Sequence, residues 1–428
     1  MRSIVAKSYG WLHSTLVEGV RRLPISSKAF GPPKGIIPDI RNWVDEYKAA
    51  HPSAECWYRK IHEAVEVRYP PAHRLEELPA IFLEDQQVQQ PEVYLASIPE
   101  ARILSESGVI ISPDDRAFEQ SCCWKSFFFT QDVEYNTLRR MLKPTKLPGG
   151  YITLISRHAS SYYHWFTECL PRLYLRDSLP PVPILLQDGL RDWQLESLAL
   201  LGIANERLVQ LPKGCYEVDQ LYFPSFPAYA TFTNDWTFAC AARPLAWLRE
   251  EFCGKQQLNK DKRVYISREG VAHRRVLNEE PLMRALEREG FLIVDTSRLS
   301  IAEKINVFGD AALIVGVHGA GLTHSLFAPS GANLVEVLDP AKVVSTYYQI
   351  ASALGQTYWY LFAENQAASA LPNDYHVNPR WPFQVGADSG TGSRKGYDDL
   401  TIPIDILLRT IAAVAANAAS PEQWQVTG

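Results

Sequence analysis

No stretch of this chain approaches the run of about 20 apolar residues that a bilayer-crossing helix needs, and the N-terminus lacks the compact apolar core with a small-residue cleavage site of a secretory leader. Both absences predict a soluble, cytoplasmic protein. There is no basic excess: the formal net charge is −5, which excludes the electrostatic footprint of a nucleic-acid binder. The seven cysteines are an odd set without a CxxC pair or the Cys/His spacing of a zinc site. Only Cys122 and Cys123 are adjacent, and the set reads as reduced, buried thiols. No repeat of fixed period and no complete GxGxxG motif occur.

What is present is a globular composition, 46% hydrophobic and 21% charged, over 428 residues. That length exceeds one ordinary core and suits two domains. Residues 1–22 carry Ile4, Trp11, Leu12, Leu16 and Val20 at near-helical spacing among Arg2, Lys7, Arg21 and Arg22. Such a basic amphipathic helix either docks on its own domain or lies peripherally on an anionic membrane face. Residues 23–50 read as an extended Pro/Gly-rich connection, and 51–145 show no clear period. From residue 149 strands and helices alternate ("GGYITLIS", "SSYYHWFTECLPRLYL", "VPILLQ", "RDWQLESLALLG"), which implies parallel β-α-β units. The polar "EFCGKQQLNKDK" reads as a boundary, after which the alternation restarts. "NEEPLMRALEREG" is a helix that Asn278 can cap and Gly290 can end. "SIAEKINVFGDA" starts with capping-box spacing between Ser300 and Glu303.

The run "IVGVHGAGLTH" (314–324) sets Gly319 and Gly321 at the carboxyl end of an apolar strand. In an open parallel sheet ligands bind outside those ends. Glycines there let the backbone approach a phosphate, and the N-terminal amides of the next helix favour an anion; the ordinary alternative is a tight turn with φ > 0. Arg268, His273, Arg274 and Arg275 follow another strand, and the guanidinium fork suits phosphate. Arg268, adjoining the buried strand, is the strongest candidate, whereas Arg274 or His273 taken singly reads as loop decoration. Glu336, inside the apolar "NLVEVLD", needs a partner, either an ion pair or a ribose hydroxyl. His164 and Glu168, four apart on a helix, can touch, and a carboxylate holding one imidazole nitrogen orients the other as a base. A packed core histidine is the ordinary alternative. The aromatics Tyr162, Tyr163, Trp165, Trp193 and Trp236 read mainly as core. Asp114-Asp115 and Asp398-Asp399 read as turn residues or solvated charge, not as a metal-binding DxD.

"ISREGVAHRRVLNE", "GVHGAGLTHSLFAPSGANLVEV", "YHWFTECLPRL" and "YDDLTIPIDILLRTI" together resemble the signature segments of glycosyltransferase family 61, over roughly residues 149–415. The resemblance implies an α/β fold of GT-B type, with two Rossmann-like domains facing across a cleft. Its parts would be an N-terminal extension with part of the N-terminal domain (1–145), a Rossmann-like acceptor-side domain (146–255), a nucleotide-sugar-binding domain (256–395) and a C-terminal helix (396–428) returning toward the N-terminal domain. The donor-binding residues it carries over are Arg268, Arg275, Asn278, His318, Gly319, Ala320, Gly321, Leu322 and Thr323, with Glu336 added from its strand position. The family's His-x-Phe-x-acid pattern falls on His164, Phe166 and Glu168, where many relatives show Asp in place of Glu168. With His318 beside the leaving group, His164 and Glu168 are the catalytic candidates, and either of the latter two is the base.

The expectation is an inverting glycosyltransferase, a bacterial member, moving a sugar from a UDP-sugar to a cell-surface polysaccharide or its lipid-linked precursor. No cofactor and no metal are expected, with Arg268 and helix N-terminal amides replacing a cation. Some members of the family use manganese, so a divalent ion stays an alternative. A nucleotide-sugar epimerase and a non-catalytic nucleotide-binding subunit of a polysaccharide assembly system are the rival readings.

Overall fold

The computed structural model describes residues 19, 22, 33–122, 143–232, 236–254, 261–340, 342–364 and 398–418. The expected N-terminal amphipathic helix lies outside the described residues apart from positions 19 and 22, as do Cys123 and the side chain of Trp236. Among the described residues no helix is long and apolar enough to cross a membrane. Six cysteines among them are free thiols, of which Cys56, Cys122, Cys169 and Cys240 are buried.

The chain forms two compact units, 1–66 with 89–248, and 67–88 with 249–428. The first is built on a ten-stranded mixed sheet. Its parallel part runs Cys215–Pro224, Thr145–Thr153, Ile184–Gln187, Leu208–Leu211. The helical segment 162–178 and the helix Asp192–Leu200 supply the β-α-β crossovers. Gly202, at φ 73°, takes the left-handed position that closes the second of these. The long strand Cys215–Pro224 also pairs antiparallel with Val93–Pro99 and with Arg102–Leu104. Strands between residues 93 and 118 are therefore part of this sheet. The expected extended connection before residue 50 contains a strand, Gly35–Ile37, and a helix, Ile40–Ala50, whose first amides bond the side chain of Asp39. Trp43 of that helix packs edge-on against Phe118, with ring centroids 4.9 Å apart. Asp115, expected as a turn or solvated residue, is a buried partner of Arg102.

The second unit holds a five-stranded, all-parallel sheet in the order Phe291–Val294, Lys262–Ile266, Ala311–Val317, Asn333–Leu338, Thr357–Phe362. Numbered along the chain this is 2-1-3-4-5, so the chain reverses direction between the first strand and the third. The strands read as nearly continuous apolar runs because helices cover both faces. Ser300 and Glu303 form the expected capping box. Asn278 sits at the cap position of Glu279–Arg288 but its side chain makes no capping bond.

Two additions to this unit were not expected. Residues 67–88 belong to it: His73 bridges in parallel to Trp359 and stacks on its ring at 4.7 Å, and Phe82 stacks on Tyr348 at 5.5 Å. The C-terminal helix Ile404–Ala418 was expected to return toward the N-terminal domain. Instead it buries Leu407, Ile411 and Val414 in the core of the second unit with Val315, Val337 and Leu361.

Candidate functional site

Each unit places a group of sequence-predicted residues together. In the second unit the switch point between Lys262–Ile266 and Ala311–Val317 is flanked by Arg268 on one side and by the turn His318–Gly321 on the other. That turn opens a 3-10 helix, Ala320–Phe327. Neither of its glycines needs a left-handed backbone, since Gly319 is extended at φ 162° and Gly321 shows no positive φ. Their requirement is space. A Cβ on Gly319 would lie 3.0 Å from Arg268 Nη1 and 3.5 Å from Arg274 Nη2, and one on Gly321 would lie 3.1 Å from Ile266 Cγ2. Two guanidinium groups therefore press against the main chain where a side chain would otherwise stand.

Arg268 is fixed from both ends. Its backbone amide donates to Glu279 Oε1 at 2.6 Å, an oxygen that also accepts from the Tyr265 and Ser267 hydroxyls. Its Nε and Nη2 donate to the carbonyls of Arg274 and His273, each at 2.6 Å. Burial and then the neighbouring Arg274 charge lower its pKa to about 10, so it stays charged at neutral pH. Lys342 joins the group: burial, followed by the Arg274 charge, brings it down to about 8, against the opposing pull of Asp339 and Glu336. Arg268, Arg274 and Lys342 thus form a cationic patch in which Arg274 repels both of the others. Like charges gathered at the carboxyl end of a parallel sheet are a ready site for an anion.

His318 completes the wall. Its Nδ1–H donates to Glu336 Oε1 at 2.6 Å, and the Tyr358 hydroxyl donates to Glu336 Oε2, also at 2.6 Å. Glu336 is fully buried, and its two oxygens accept hydrogen bonds from His318 and Tyr358. It orients the histidine. Burial lowers the His318 pKa against the upward pull of Glu336, with Lys342 and Arg274 adding to the lowering. The Tyr347 hydroxyl donates to the carbonyl of Gly319 at 2.6 Å and lies 3.3 Å from Thr323 Oγ1.

Four of the expected donor-binding residues are engaged within the protein. Asn278 spends both ends of its amide on the main chain of Ile402, at 2.8 and 2.9 Å. Arg275 pairs with Asp399, its Nε donating at 3.0 Å. Both residues stitch the 398–402 segment onto the strand bridge Val276↔Leu400. Leu322 is wholly buried over Gly316, and Thr323 is buried under Tyr347. Ala320 is exposed at the start of its helix. Arg274, read from sequence as loop decoration, is the residue that reaches the turn, helped by a left-handed backbone at φ 54°. Lys342 was not anticipated, because only the fold beyond Leu338 carries it back to the patch. His324 is a packed histidine, stacked on Phe308 at 5.0 Å and bonded to the Gly321 carbonyl; burial takes its pKa down to about 3.

In the first unit, His164 Nδ1 lies 2.6 Å from Glu168 Oε1. Glu168 is fully buried and His164 mostly so. The pair straddles the junction between one α-helical turn and a π-helical turn, Trp165–Cys169. Such turns are rare and frequent at functional sites. His158 stands beside the pair, ring centroids 5.0 Å apart, and burial takes its pKa down to about 4. Trp165 is core, as expected, while Tyr162 and Trp193 pack with tilted rings 5.1 Å apart and stay half-buried. Among the described residues no three His, Cys, Asp or Glu side chains converge as metal ligands.

The geometry defines a class first: an α/β protein with a cationic patch at the switch point of a parallel sheet and, in a separate unit, a carboxylate-held histidine. Comparison with known proteins gives the likeness: the Glycosyltransferase 61 family model matches residues 162–335, and the relatives below are glycosyltransferases by name. The chain is similar to the EGF domain-specific O-linked N-acetylglucosamine transferase of Drosophila melanogaster, 32% identical over 98 residues, or 22% of this chain and 18% of that protein. It is also similar to the Protein O-linked-mannose beta-1,4-N-acetylglucosaminyltransferase 2 of Canis lupus familiaris, 29% identical over 186 residues, 36% of this chain and 31% of that protein. The human protein of the same name is 25% identical over 186 residues, with 36% and 31% covered. These alignments span less than a third of the relatives' lengths.

Proposed function

We propose that the chain is an inverting glycosyltransferase of GT-B type that transfers a sugar from a nucleotide-sugar to an acceptor hydroxyl. The observation that carries this reading is the approach of Arg268 and Arg274 to the main chain at Gly319, with the Arg274 charge felt by Lys342, at the switch point of a 2-1-3-4-5 sheet. A diphosphate there would relieve the mutual repulsion of the three cations and raise the pKa values of Lys342 and His318. As an imidazolium held by Glu336, His318 would donate from Nε2 to a departing phosphate oxygen.

The proposed base is His164, held by Glu168. Its Nε2 would take the proton of the acceptor hydroxyl as the new glycosidic bond forms at the anomeric carbon. The bond from that carbon to the diphosphate breaks, and its electron pair leaves with the nucleoside diphosphate. Fixed cations and amides stabilise that charge in place of a metal; a requirement for added manganese would speak for the divalent alternative. UDP is the first nucleotide to test. Both relatives named above are N-acetylglucosaminyl transferases by name, which makes N-acetylglucosamine the first sugar to test.

A glycan or lipid-linked glycan acceptor, a cytoplasmic location with peripheral membrane contact and a bacterial source complete the proposal. The free thiols support the first part of that location. The test is release of nucleoside diphosphate from UDP-N-acetylglucosamine and other nucleotide-sugars with and without glycan acceptors. Acceptor-dependent release supports transfer, and acceptor-independent turnover refutes it.

A further inference from the structure

The unit that carries His164 has a cavity at the opposite edge of its sheet. His164 follows the carboxyl end of Thr145–Thr153, whereas the cavity lies where the chain enters Ile184–Gln187 and Leu208–Leu211, at the amino ends of these parallel strands. It measures about 440 Å³, and its lining includes Arg176, Leu179, Pro181, Leu201, Ile203 and Arg207. That volume is within the roughly 300–1,000 Å³ of pockets that enclose a small ligand. The helical segment 162–178 runs between the two edges, with His164 near its start and Arg176 near its end. The transfer chemistry proposed above does not use this cavity.

Two loops form it, and each holds the other through a guanidinium. Arg176 Nη1, before Ile184, donates to the Leu201 carbonyl at 2.8 Å, and Arg207 Nη2, before Leu208, donates to the Val182 carbonyl at 3.0 Å. Arg176 also lies over the Trp247 ring, 5.3 Å from its centroid. Among the described residues the Val182 bond is the only hydrogen bond of the Arg207 side chain, and its Nε is buried without an acceptor. A buried N–H left in that state is costly, and an anion supplies the charge this guanidinium has not met. The carboxylate in the lining, Asp177, points outward on a side chain 94% exposed, with Oδ1 3.7 Å from Arg176 Nε. A contact that long and that solvated neutralises little. The remaining wall of Leu, Ile and Pro side chains is apolar. Two cations facing one space match a dianion, and guanidinium forks match the oxygens of a phosphate. We infer that this cavity is a second ligand site, remote from the transfer chemistry, for a phosphate monoester with an apolar body. Arg176 and Arg207 hold the phosphate, and Leu179, Leu201 and Ile203 receive the body.

The experiment is titration calorimetry of the whole chain with hexyl phosphate and with inorganic phosphate, on wild type, Arg207→Gln, Pro181→Glu and Arg268→Ala. Wild type should bind hexyl phosphate about tenfold more tightly than inorganic phosphate, the effect of burying about two methylenes. Arg207→Gln should weaken hexyl phosphate about tenfold, the size of one hydrogen bond to a charged group. Pro181 is on the exposed rim, so Pro181→Glu sets a repelling charge there without touching the core and should weaken binding whether or not the first variant folds. Arg268→Ala, in the other unit, should leave hexyl phosphate binding unchanged. Sedimentation with phosphatidylcholine vesicles containing phosphatidic acid, lost in Pro181→Glu, would make the source a lipid headgroup; hexyl phosphate binding without such sedimentation would make it a free ester. The inference is overturned if wild type does not bind hexyl phosphate or shows no preference for it over inorganic phosphate. It is equally overturned if both cavity variants bind like wild type, or if Arg268→Ala alone abolishes binding.

Discussion

Arg268 offers the sharpest test of the donor site. Its Nε and Nη2 are committed to two main-chain carbonyls, and its Nη1 is the end that meets the HGAG turn. Arg268→Ala therefore removes one charged donor to the diphosphate and two neutral acceptors' partners from the loop. A hydrogen bond to a charged group is worth about 1.5–3 kcal/mol, so pyrophosphate should bind roughly 10- to 150-fold more weakly. The loss is partial because Arg274 and Lys342 remain. Arg268→Lys should recover only part of it, since an ammonium cannot keep both carbonyl contacts and still reach the anion. Calorimetry at two salt concentrations, with circular dichroism to confirm folding, measures this directly. The ligand-induced rise in melting temperature should shrink in parallel. A folded Arg268→Ala protein that binds pyrophosphate like the wild type would refute the placement of the anion.

Diphosphate binding should take up protons chiefly above about pH 8, because an anion raises the pKa of Lys342 from about 8; calorimetry in buffers of different ionisation enthalpy reads the uptake, and Lys342→Met should reduce it. His164→Ala and Glu168→Gln should lower turnover by about 10²- to 10⁴-fold, the range of a general base, while nucleoside diphosphate binding persists; unchanged turnover removes the pair from the mechanism. Asn278→Ala should cost about 1–3 kcal/mol of stability through its two lost bonds and leave pyrophosphate affinity unaltered. His158 and His324 are held neutral, with folded pKa values of about 4 and about 3. The unfolded chain binds their protons near pH 6.5, so their stability contribution is complete above that pH and is lost as pH falls toward 4 and then 3. Urea unfolding from pH 7 to 5 should show a slope of up to about 1.4 kcal/mol per pH unit for each histidine, and His324→Gln should remove one share.

The sequence carried local chemistry well. The alternation of strands and helices after residue 149, the capping box at Ser300 and the contact between His164 and Glu168 all follow from spacings of a few residues, and all are present. Glycines at the HGAG turn were legible as special, but their reason was not. Whether a glycine serves a left-handed turn or a close approach depends on what stands opposite, and Arg268 stands opposite only once two strands have paired. Ranking within "AHRRVLN" failed for the same cause: Arg274 and Arg275 are neighbours in sequence, yet one points to Gly319 and the other to Asp399.

The sequence by itself determined the strand and helix alternation after residue 149, and it placed a glycine turn and an arginine-rich loop after two different strands, because periodicity and capping act over short distances. Only the tertiary structure decided which cations meet, that Glu336 serves His318, that Asn278 ties down Ile402 and that residues 67–88 join the second unit. Those outcomes depend on strand order, and strand order is set by how apolar faces far apart in the chain bury one another.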